Sequence, residues 1–348
     1  MKKINILFTC AGRRNYLINY FKEALKGEGQ IIAADEQMNA PAMIDADIAI
    51  KVSNIYSDNY VNEIVEIVKK HSVTAIISLN DLELPALSRN KSLFEQHGAK
   101  VLISNSNIIS IGFDKWKTYQ FLKDLNLNTP KTYIKLDKAL EDIENGSLKF
   151  PLVLKPRWGS ASAGLYYLES IKELKLSYKL QKIKLKHPIL CNANKKDLKN
   201  NILIQEKLEG KEYGMDIVND FNGNYYGSFA REKLAMRSGE TDKALSIKDE
   251  RFEKLGKKIS QNLKHVGSID CDLFVVDNKL YLLEINPRFG GGYPFSHEAG
   301  INLAAIYIAW LKGEDSENLA QYNNYKENIM FAKCDRLIEL SRNKNYDI

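Results

Sequence analysis

The chain has 348 residues, of which 44% are hydrophobic and 27% charged, so it is long enough for two or three domains with sizeable cores. This composition excludes intrinsically disordered and fibrous proteins. Fifty Lys and Arg residues against 44 Asp and Glu residues give a net charge of +6, a mild and dispersed excess that suits an anionic substrate and does not favour nucleic acid as a partner.

Cysteine usage and the opening residues indicate the compartment. The four cysteines lie far apart, with no CxxC pair and no histidine at metal-ligand spacing, so neither a disulfide scaffold nor a zinc site is indicated. The opening MKKINILFTCAG resembles the start of a signal peptide, but two arginines follow at once and no small-residue cleavage site is evident. No run approaches the roughly 18 apolar residues of a membrane span. We therefore expect a cytoplasmic protein that makes no membrane contact.

The first third of the chain alternates strand-like and helix-like stretches. INILFTCAG, QIIAADEQ, IAIKVS, VTAIISLND and KVLISN predict strands, whereas RRNYLINYFKEAL and SDNYVNEIVEIVKKH predict helices. This alternation predicts a parallel α/β sheet. Ligands of such sheets bind at the carboxyl ends of the strands. The residues that fall there are Gly12, Asp35, Asn80, Asp81 and Glu83.

The turn after the first predicted strand has two interpretations. Gly12 is followed by Arg13 and Arg14 at a predicted helix start, a position that could hold an anion. One glycine without a G-x-G-x-x-G pattern is only a weak indication of a dinucleotide site. A tight strand-to-helix turn explains the same residues equally well, so both interpretations stay open.

The middle of the chain predicts a helix that ends near Asn126 and then an extended NTPKTY, which Pro130 keeps out of a helix. FPLVLKPRWGSASAGLYYL follows as strand, small-residue loop and strand. Lys155 lies near the end of the first of these strands, and the loop of residues 159–164 has backbone N–H groups that can approach phosphate oxygens. Taken alone, this pattern also fits a hairpin with a glycine turn.

The stretch LLEINPRFGGGYP carries polar side chains at every second position of an apolar run. Glu284, Asn286 and Arg288 should project to one face, and three polar groups facing a core without partners would be costly. Asp272 lies across a predicted hairpin from them. Carboxylate and amide oxygens are ligands that Mg²⁺ accepts, and the cation would carry phosphates. Arg288 is left to orient an anionic group through paired hydrogen bonds.

Four motifs follow one another along the chain: DK at residues 114–115, PLVLKP with its glycine loop, IQEKLEGKEY, and LEINPR with an acidic residue twelve positions before its glutamate. In this order they resemble the motifs of the ATP-grasp superfamily, in the branch of the carbamoyl-phosphate synthase large subunit, biotin carboxylase and the pyrrolysine-pathway ligase. The resemblance covers about residues 1–310. It implies an α/β fold in which an N-terminal parallel α/β domain precedes an ATP-grasp domain of two subdomains, with the nucleotide between two sheets.

The domain boundaries implied are 1–111 for the N-terminal domain, 112–311 for the ATP-grasp domain with a lid at about 130–207, and 312–348 for a tail that packs back as strand and helix. The lysine-rich segment 170–200 is expected to form a lid helix whose charges are a solvated face.

Carried over residue by residue, the resemblance implies a nucleotide site and a metal site. The nucleotide-binding residues would be Lys115, Lys155, Gly159, Ser160, Ala161, Ser162, Gly164, Glu206, Lys207, Leu208 and Glu212. The two early lysines would contact phosphates, the glycine loop would close over them, residues 206–208 would hold adenine, and Glu212 would bind the ribose. Asp272, Glu284 and Asn286 would hold two Mg²⁺ ions, or Mn²⁺, although an aspartate has a shorter arm than the glutamate or glutamine common at position 272.

The activity implied is that of an ATP-dependent carboxylate–amine ligase. The enzyme would activate a small carboxylate as an acyl phosphate for attack by an amine. REKLAMRSGETDKA resembles a substrate-side segment of such ligases. Lys233 would then reach the γ-phosphate, and Arg237 with Arg288 would bracket the substrate carboxylate. A charged surface hairpin is the alternative for Lys233 and Arg237.

Substrate and assembly are less defined. FGGGYPFSHEAG would line the acceptor pocket, with Tyr293, His297 and Glu298 near the amine. The three arginines Arg157, Arg231 and Arg237 suggest an amino-acid-like or otherwise anionic substrate, and a homodimer is one expected assembly. Two alternatives stay open: a carboxylate kinase with the same motifs, and a nucleotide-binding regulator, which should lack the full metal set and Arg288.

Overall fold

The computed structural model of the chain describes residues 3–159, 164–186, 193–194 and 197–340. These residues form a five-stranded, a four-stranded and a six-stranded sheet, with helices packed around them. In this part of the chain no helix combines the length and apolar character needed to cross a bilayer.

The N-terminal sheet is parallel throughout, with strand order β3-β2-β1-β4-β5. Its strands are β1 (Ile6–Thr9), β2 (Ile31–Asp35), β3 (Ile48–Lys51), β4 (Ala75–Ser78) and β5 (Lys100–Val101). Its helices are α1 (Asn15–Leu25), α2 (Pro41–Asp45), α3 (Tyr60–Lys70), α4 (Leu84–Arg89), α5 (Lys91–Gln96) and α6 (Ser106–Phe113). The predicted parallel α/β sheet is thus confirmed. The apolar pattern does not indicate α2, α4 or α5, because helices of five or six residues are too short to show it.

The remaining strands form two antiparallel sheets. The smaller sheet has the order β6-β9-β7-β8, with β6 (Thr132–Tyr133), β7 (Leu152–Pro156), β8 (Tyr166–Leu168) and β9 (Ile202–Glu206). The larger sheet has the order β14-β13-β10-β11-β12-β15, with β10 (Lys211–Asn219), β11 (Tyr225–Arg237), β12 (Glu240–Ile247), β13 (Gly267–Val276), β14 (Lys279–Asn286) and β15 (Met330–Ala332).

Further helices surround these sheets in the described part of the chain, where two short 3-10 helices also precede β15. The helices are α7 (Lys115–Asp124), α8 (Leu136–Glu144), α9 (Ile171–Lys184), α10 (Glu250–Leu263), α11 (Tyr293–Glu298) and α12 (Leu303–Leu311). The lysine-rich segment forms α9 as far as Lys184, with its lysines exposed and Leu174 buried towards the smaller sheet. The tail returns as β15, which extends the larger sheet beside β12. The division into domains stays a prediction, and the expected boundary at residue 111 falls inside α6.

One core joins the N-terminal sheet to the rest of the molecule. Helix α12 is apolar on all sides and buried over nearly its whole length, as expected of a helix enclosed by other elements. Phe8 and Phe21 of the N-terminal region share a cluster with Phe289 and Tyr307, and the Phe21 and Phe289 rings meet edge to face at 6.1 Å. This packing fixes the carboxyl ends of β1 and β4 beside the end of β14.

Candidate active site

A cavity of about 450 Å³ lies between the smaller and the larger sheet. It forms there because the chain passes from β9 in one sheet to β10 in the other within a few residues. The predicted residues that line it are Lys115, Lys155, Gly159, Glu206, Lys207, Leu208, Glu212, Asp272 and Glu284. The structure therefore gathers nine of the sequence candidates around one space, contributed by both sheets.

Two of the cavity lysines approach it from the smaller sheet and from α7. Lys155, on β7, donates to Gln205 Oε1 at 2.8 Å and is 8% exposed. Lys115, at the start of α7, donates to the Gly159 carbonyl at 2.6 Å and lies 3.3 Å from a carboxylate oxygen of Glu284. Lys115 thereby connects the small-residue loop to the floor of the cavity.

The carboxylates on the floor come from a strand pair with an irregular register. Asp272 on β13 lies directly opposite Glu284 on β14, and the register shifts by one residue immediately beside this pair. The shift leaves Leu283 as an extra residue, so Leu283 and Glu284 both line the cavity. Bulges of this kind often re-aim a side chain next to a functional site.

Lys233 completes this network from β11. Its ammonium group lies 2.7 Å from Glu212 and 2.6 Å from Asp272, and its side chain is 5% exposed. Burial lowers the pKa of Lys233, but the charges of Asp272 and Glu212 have the larger effect and raise this pKa above its usual value. Without ligand, Lys115 thus pairs with Glu284, and Lys233, which is not itself among the residues that line the cavity, pairs with Glu212 and Asp272.

Burial and neighbouring charges act in opposite directions on the floor carboxylates. Burial raises the pKa of Asp272 above its usual range, although Lys233 opposes the shift. Burial would also raise the pKa of Glu284, but Lys115 and Lys155 outweigh it and hold this pKa well below its usual range. Glu284 is therefore held ionised and available as a ligand for a cation.

The residues present fit a magnesium site that a nucleotide completes. The described residues hold no cluster of three His, Cys, Asp or Glu side chains that could bind a metal by themselves. Mg²⁺ in nucleotide sites is typically held by one or two carboxylates together with substrate phosphates. Asp272 and Glu284, which face each other across the strand pair, would supply those two carboxylates. Asn286 lies two residues further along β14, opposite Asp270.

At the other end of the cavity, Glu206 contacts the loop before β6. One of its carboxylate oxygens accepts the Lys131 N–H at 3.1 Å, and its own N–H donates to the Lys131 carbonyl. In the glycine loop, Ser160, Ala161 and Ser162 lie outside the described residues. Gly164 has φ near +76°, and a Cβ there would lie 2.7 Å from the Gln181 amide nitrogen, so this position requires glycine.

Lys155→Met tests the phosphate role of this lysine. Methionine keeps the apolar stem but removes the charge-assisted contact, so we expect ATP affinity to fall about tenfold to a hundredfold, roughly 1.5–3 kcal/mol. Burial lowers the pKa of Lys155 to about 8. Above that pH the free protein holds this lysine neutral and must take up a proton to bind a triphosphate. Wild-type affinity should therefore fall as the pH rises through 8, and the variant should lose this dependence.

Calorimetry with ATP measures both effects. Lys211→Met is the matched control, because Lys211 lies on β10 of the larger sheet, with its side chain 68% exposed and paired to Glu232. Nucleotide affinity that is unchanged in Lys155→Met would contradict the assignment.

Arg288 and Arg237 do not line the cavity, and they lie in different surroundings. Strand β14 ends at Asn286, so Arg288 lies beyond the alternating pattern, where its guanidinium pairs with Asp81 at the end of the N-terminal sheet. Arg237 lies at the end of β11 with its side chain 50% exposed, paired with Asp242 and Asp335. The structure does not bring Arg237 and Arg288 together around one carboxylate.

The three glycines that follow Arg288 pack against a buried ion cluster. Arg231 is 1% exposed and contacts Asp216 at 2.6 Å and Asp270 at 2.8 Å. A Cβ on Gly290 would lie 2.3 Å from the Asp270 carboxyl carbon, and one on Gly292 would lie 2.2 Å from an Arg231 nitrogen. These glycines are therefore needed for close backbone approach.

Arg157, Arg231 and Arg237, from which the sequence suggests an anionic substrate, are not among the residues that line the cavity, and each is paired with carboxylates elsewhere. Arg157 forms two 2.7 Å contacts with Asp114, one from Nε and one from Nη2.

Tyr293, His297 and Glu298 fix α11 against α1. The His297 ring stacks on Tyr20 at 3.5 Å, and the Tyr20 hydroxyl donates to Glu298 at 2.8 Å. The Tyr293 hydroxyl contacts His297 Nδ1 at 2.9 Å, and Tyr293 is fully buried. In this structure the three side chains hold two elements together, and they are not among the residues that line the cavity.

The sequence did not indicate several of the residues that line the cavity, nor the role of Asp114, which links α7 to Arg157. Gln205, Tyr167, Met236 and Phe274 line the cavity, but single polar or apolar residues within strands give no signal of this. Asp114 caps α7 by accepting the Trp116 N–H at 3.1 Å and also binds Arg157, at the end of β7. The signal for it was available, since aspartate before a helix start indicates a cap.

Two family models match the chain. A PylC-like N-terminal domain matches residues 6–102, and an ATP-grasp domain matches residues 113–292. The carbamoyl phosphate synthase large chain of Helicobacter pylori is 28% identical over 247 residues, which are 68% of this chain and 22% of that protein. The chain spans about a quarter of the length of the curated relatives it matches.

Solved structures share the fold at low identity. The biotin carboxylase domain of Hydrogenobacter thermophilus 2-oxoglutarate carboxylase, in complex with MgADP, ADP and bicarbonate, aligns with a TM-score of 0.69 and 18% identity over 90% of this chain and 70% of that one. An ADP complex of N5-carboxyaminoimidazole ribonucleotide synthetase aligns with a TM-score of 0.68 and 17% identity over 90% of this chain and 78% of that one. Because the ATP-grasp family model matches more than half of its residues, this chain belongs to the ATP-grasp family.

Proposed function

We propose that the protein is an ATP- and Mg²⁺-dependent carboxylate–amine ligase that forms an amide or peptide-like bond and releases ADP and phosphate. The observation that carries the proposal is the cavity between the two sheets, where Lys115 pairs with Glu284, and where Lys155 and the carboxylates Glu212 and Asp272 also line the space. Lys233 pairs with the last two carboxylates. Lysines suit a polyphosphate and carboxylates suit its divalent cations, so a metal–nucleotide complex replaces the internal ion pairs with equivalent ones.

In this proposal the chain's own residues divide the work along the cavity. Lys115, Lys155 and Lys233 hold the phosphates, while Gly159 and Gly164 flank the loop above them. Residues 206–208 hold adenine, and Glu212 holds the ribose. Membership of the ATP-grasp family supports this division, as do the ADP complexes of the two structural relatives.

Asp272, Glu284 and Asn286 are proposed to hold two Mg²⁺ ions, for which Mn²⁺ could substitute. When bound, such ions stabilise charge on the attacking and leaving oxygens of phosphoryl transfer. Arg288 is proposed to orient the substrate carboxylate, one of whose oxygens bonds to the γ-phosphorus as the bond from that phosphorus to the β–γ bridging oxygen breaks. Attack by the amine nitrogen on the acyl carbon then releases phosphate. Arg237 has no part in this proposal, since its guanidinium is already paired at the surface.

The proposed partners are a small carboxylate and a small amine, with a homodimer as the proposed assembly. We also propose a cytoplasmic location. The three described cysteines, Cys10, Cys271 and Cys334, are free, which supports a reducing compartment.

The deciding experiment follows ADP formation with ATP, Mg²⁺ and pools of carboxylic acids and amines that include the amino acids. A ligase is expected to form ADP only when both an acid and an amine are present. ADP formation with the acid alone would identify a carboxylate kinase instead. Tight ATP binding without ADP formation under any combination would contradict the proposal in favour of a nucleotide-binding regulator.

A further inference from the structure

The turn after β1 brings a second guanidinium to the end of β14. Arg14 Nη1 donates to the Phe289 carbonyl at 2.6 Å, and Arg288 Nη1 donates to the same oxygen at 2.9 Å. Because both contact one oxygen, the two guanidiniums lie within two hydrogen-bond lengths of each other. The carbonyl that they share belongs to the glycine-rich turn fixed by the buried Arg231 cluster.

The two arginines differ in how their charges are compensated. Arg288 pairs with Asp81. No carboxylate in the described part of the chain lies within ion-pair distance of Arg14, whose only hydrogen bond from the side chain goes to the Phe289 carbonyl. Like charges this close repel each other unless an anion lies between them.

Donor groups at this junction also lack partners. The side chain of Arg288 is 9% exposed, and its Nε is buried without a hydrogen-bond partner. A buried guanidinium N–H without an acceptor is costly, and an anion bound at this junction would supply one. Arg14 is also the N-cap residue of α1, an end of the helix that carries positive partial charge.

Other groups enclose the same junction. Tyr16, in the first turn of α1, is close enough to Arg14, Arg288, Glu240 and Asp270 for their charges to act on its hydroxyl. Glu240 lies at the start of β12, where Lys333 neutralises it at 3.1 Å. Burial raises the pKa of Glu240, but Lys333, with smaller contributions from Arg14 and Arg288, holds this pKa below its usual value. Among the described residues, Arg14 is the guanidinium of this junction that has no carboxylate within ion-pair distance.

We propose that Arg14 is a substrate-binding residue that holds, together with Arg288, the anionic oxygens of the acid substrate and of the acyl phosphate made from it. The inference rests on the proposed ligase function and adds the N-terminal domain to the substrate site. Two guanidiniums suit carboxylate and phosphate oxygens through parallel hydrogen bonds. They also suit the course of the reaction, because phosphorylation adds negative charge to the group that they hold.

The kinetic test compares two neighbouring arginines in the full-length protein. Arg14→Gln removes the uncompensated charge, and Arg13→Gln removes an exposed charge one residue away as the matched control. With an acid that supports ADP formation, we expect Arg14→Gln to raise the KM for that acid at least about tenfold and to change the KM for ATP less than about twofold. An unchanged KM for the acid, or an equal rise for both substrates, overturns the inference.

A second measurement does not depend on finding the acid. Inorganic phosphate, a product of the proposed reaction, is titrated by calorimetry into protein saturated with MgADP. We expect Arg14→Gln to weaken phosphate binding at least about tenfold, and Arg13→Gln to leave it unchanged. Phosphate that does not bind the wild type, or binds Arg14→Gln equally well, overturns the inference even if acid-dependent ADP formation is observed. Conversely, the absence of ADP formation with every acid contradicts the proposed function, while the phosphate titration still decides the role of Arg14.

Discussion

Glu284→Gln is expected to lower the turnover rate by about a hundredfold to a thousandfold while leaving the fold intact. The carboxylate lies on the floor of the cavity, opposite Asp272, and Lys115 and Lys155 hold it ionised. Glutamine keeps the shape and one oxygen but removes the charge that a magnesium ion requires. The measurement is the steady-state rate of ADP formation.

A matched variant separates loss of the site from loss of the fold. Glu232, like Glu284, is a carboxylate of the larger sheet that pairs with a lysine, and Glu232→Gln removes it. Its partner Lys211 has an exposed side chain, and Glu232 does not line the cavity. We expect both variants to melt within a few degrees of the wild type and only Glu284→Gln to lose activity. Wild-type rates in Glu284→Gln would remove the metal assignment.

The nucleotide half of this site could be predicted because its signals are local. Lys155 and Glu206 lie at the ends of short apolar strands, and each strand is recognisable from a few consecutive residues. The alternation in β14 likewise predicts that Glu284 projects from a buried strand. It does not predict the bulge at Leu283, because a register shift is set by the pairing of β14 with β13.

The proposed substrate half could be predicted only in part, because it depends on which charges lie next to each other in the fold. The sequence indicates an anion site at Arg14 as one of two interpretations of the turn after Gly12, and it suggests Arg157 and Arg231 as further cations for an anionic substrate. Only the fold shows that Asp114 neutralises Arg157 and that Asp216 and Asp270 enclose Arg231. Arg14 differs from them in its surroundings, and those are set by a core that joins residues almost 300 positions apart.

The two residues of the DK motif have different roles in the structure. Lys115 points into the cavity, as the resemblance implies, and contacts both Gly159 and Glu284. The preceding Asp114 faces the other way, caps α7 and binds Arg157 at the end of β7.

Arg288→Lys is expected to reduce kcat/KM for the acid by about a hundredfold to a thousandfold while ATP affinity changes less than about threefold. The planar guanidinium reaches Asp81 and the Phe289 carbonyl at once and still presents Nε. The ammonium group of lysine keeps the charge, but it cannot contact Asp81, the Phe289 carbonyl and a substrate oxygen in the planar arrangement of a guanidinium. Since Arg288 lies outside the nucleotide cavity, the loss should appear as charge develops in the transition state and not in nucleotide binding.

The control for this variant is Asp81→Asn, which removes the ion-pair partner and leaves Arg288 itself in place. If Arg288 serves only to hold the N-terminal sheet through Asp81, both variants should lose equal activity and equal stability, measured by melting temperature. If it orients the substrate, Arg288→Lys should lose far more activity than Asp81→Asn at similar stability. Positional isotope exchange in ATP gives the independent measurement, because reversible acyl phosphate formation scrambles the β–γ bridging oxygen in the presence of the acid alone. Exchange that appears in the wild type and disappears in Arg288→Lys places this arginine in the phosphoryl-transfer step. Equal exchange in both proteins would assign it to the later attack by the amine.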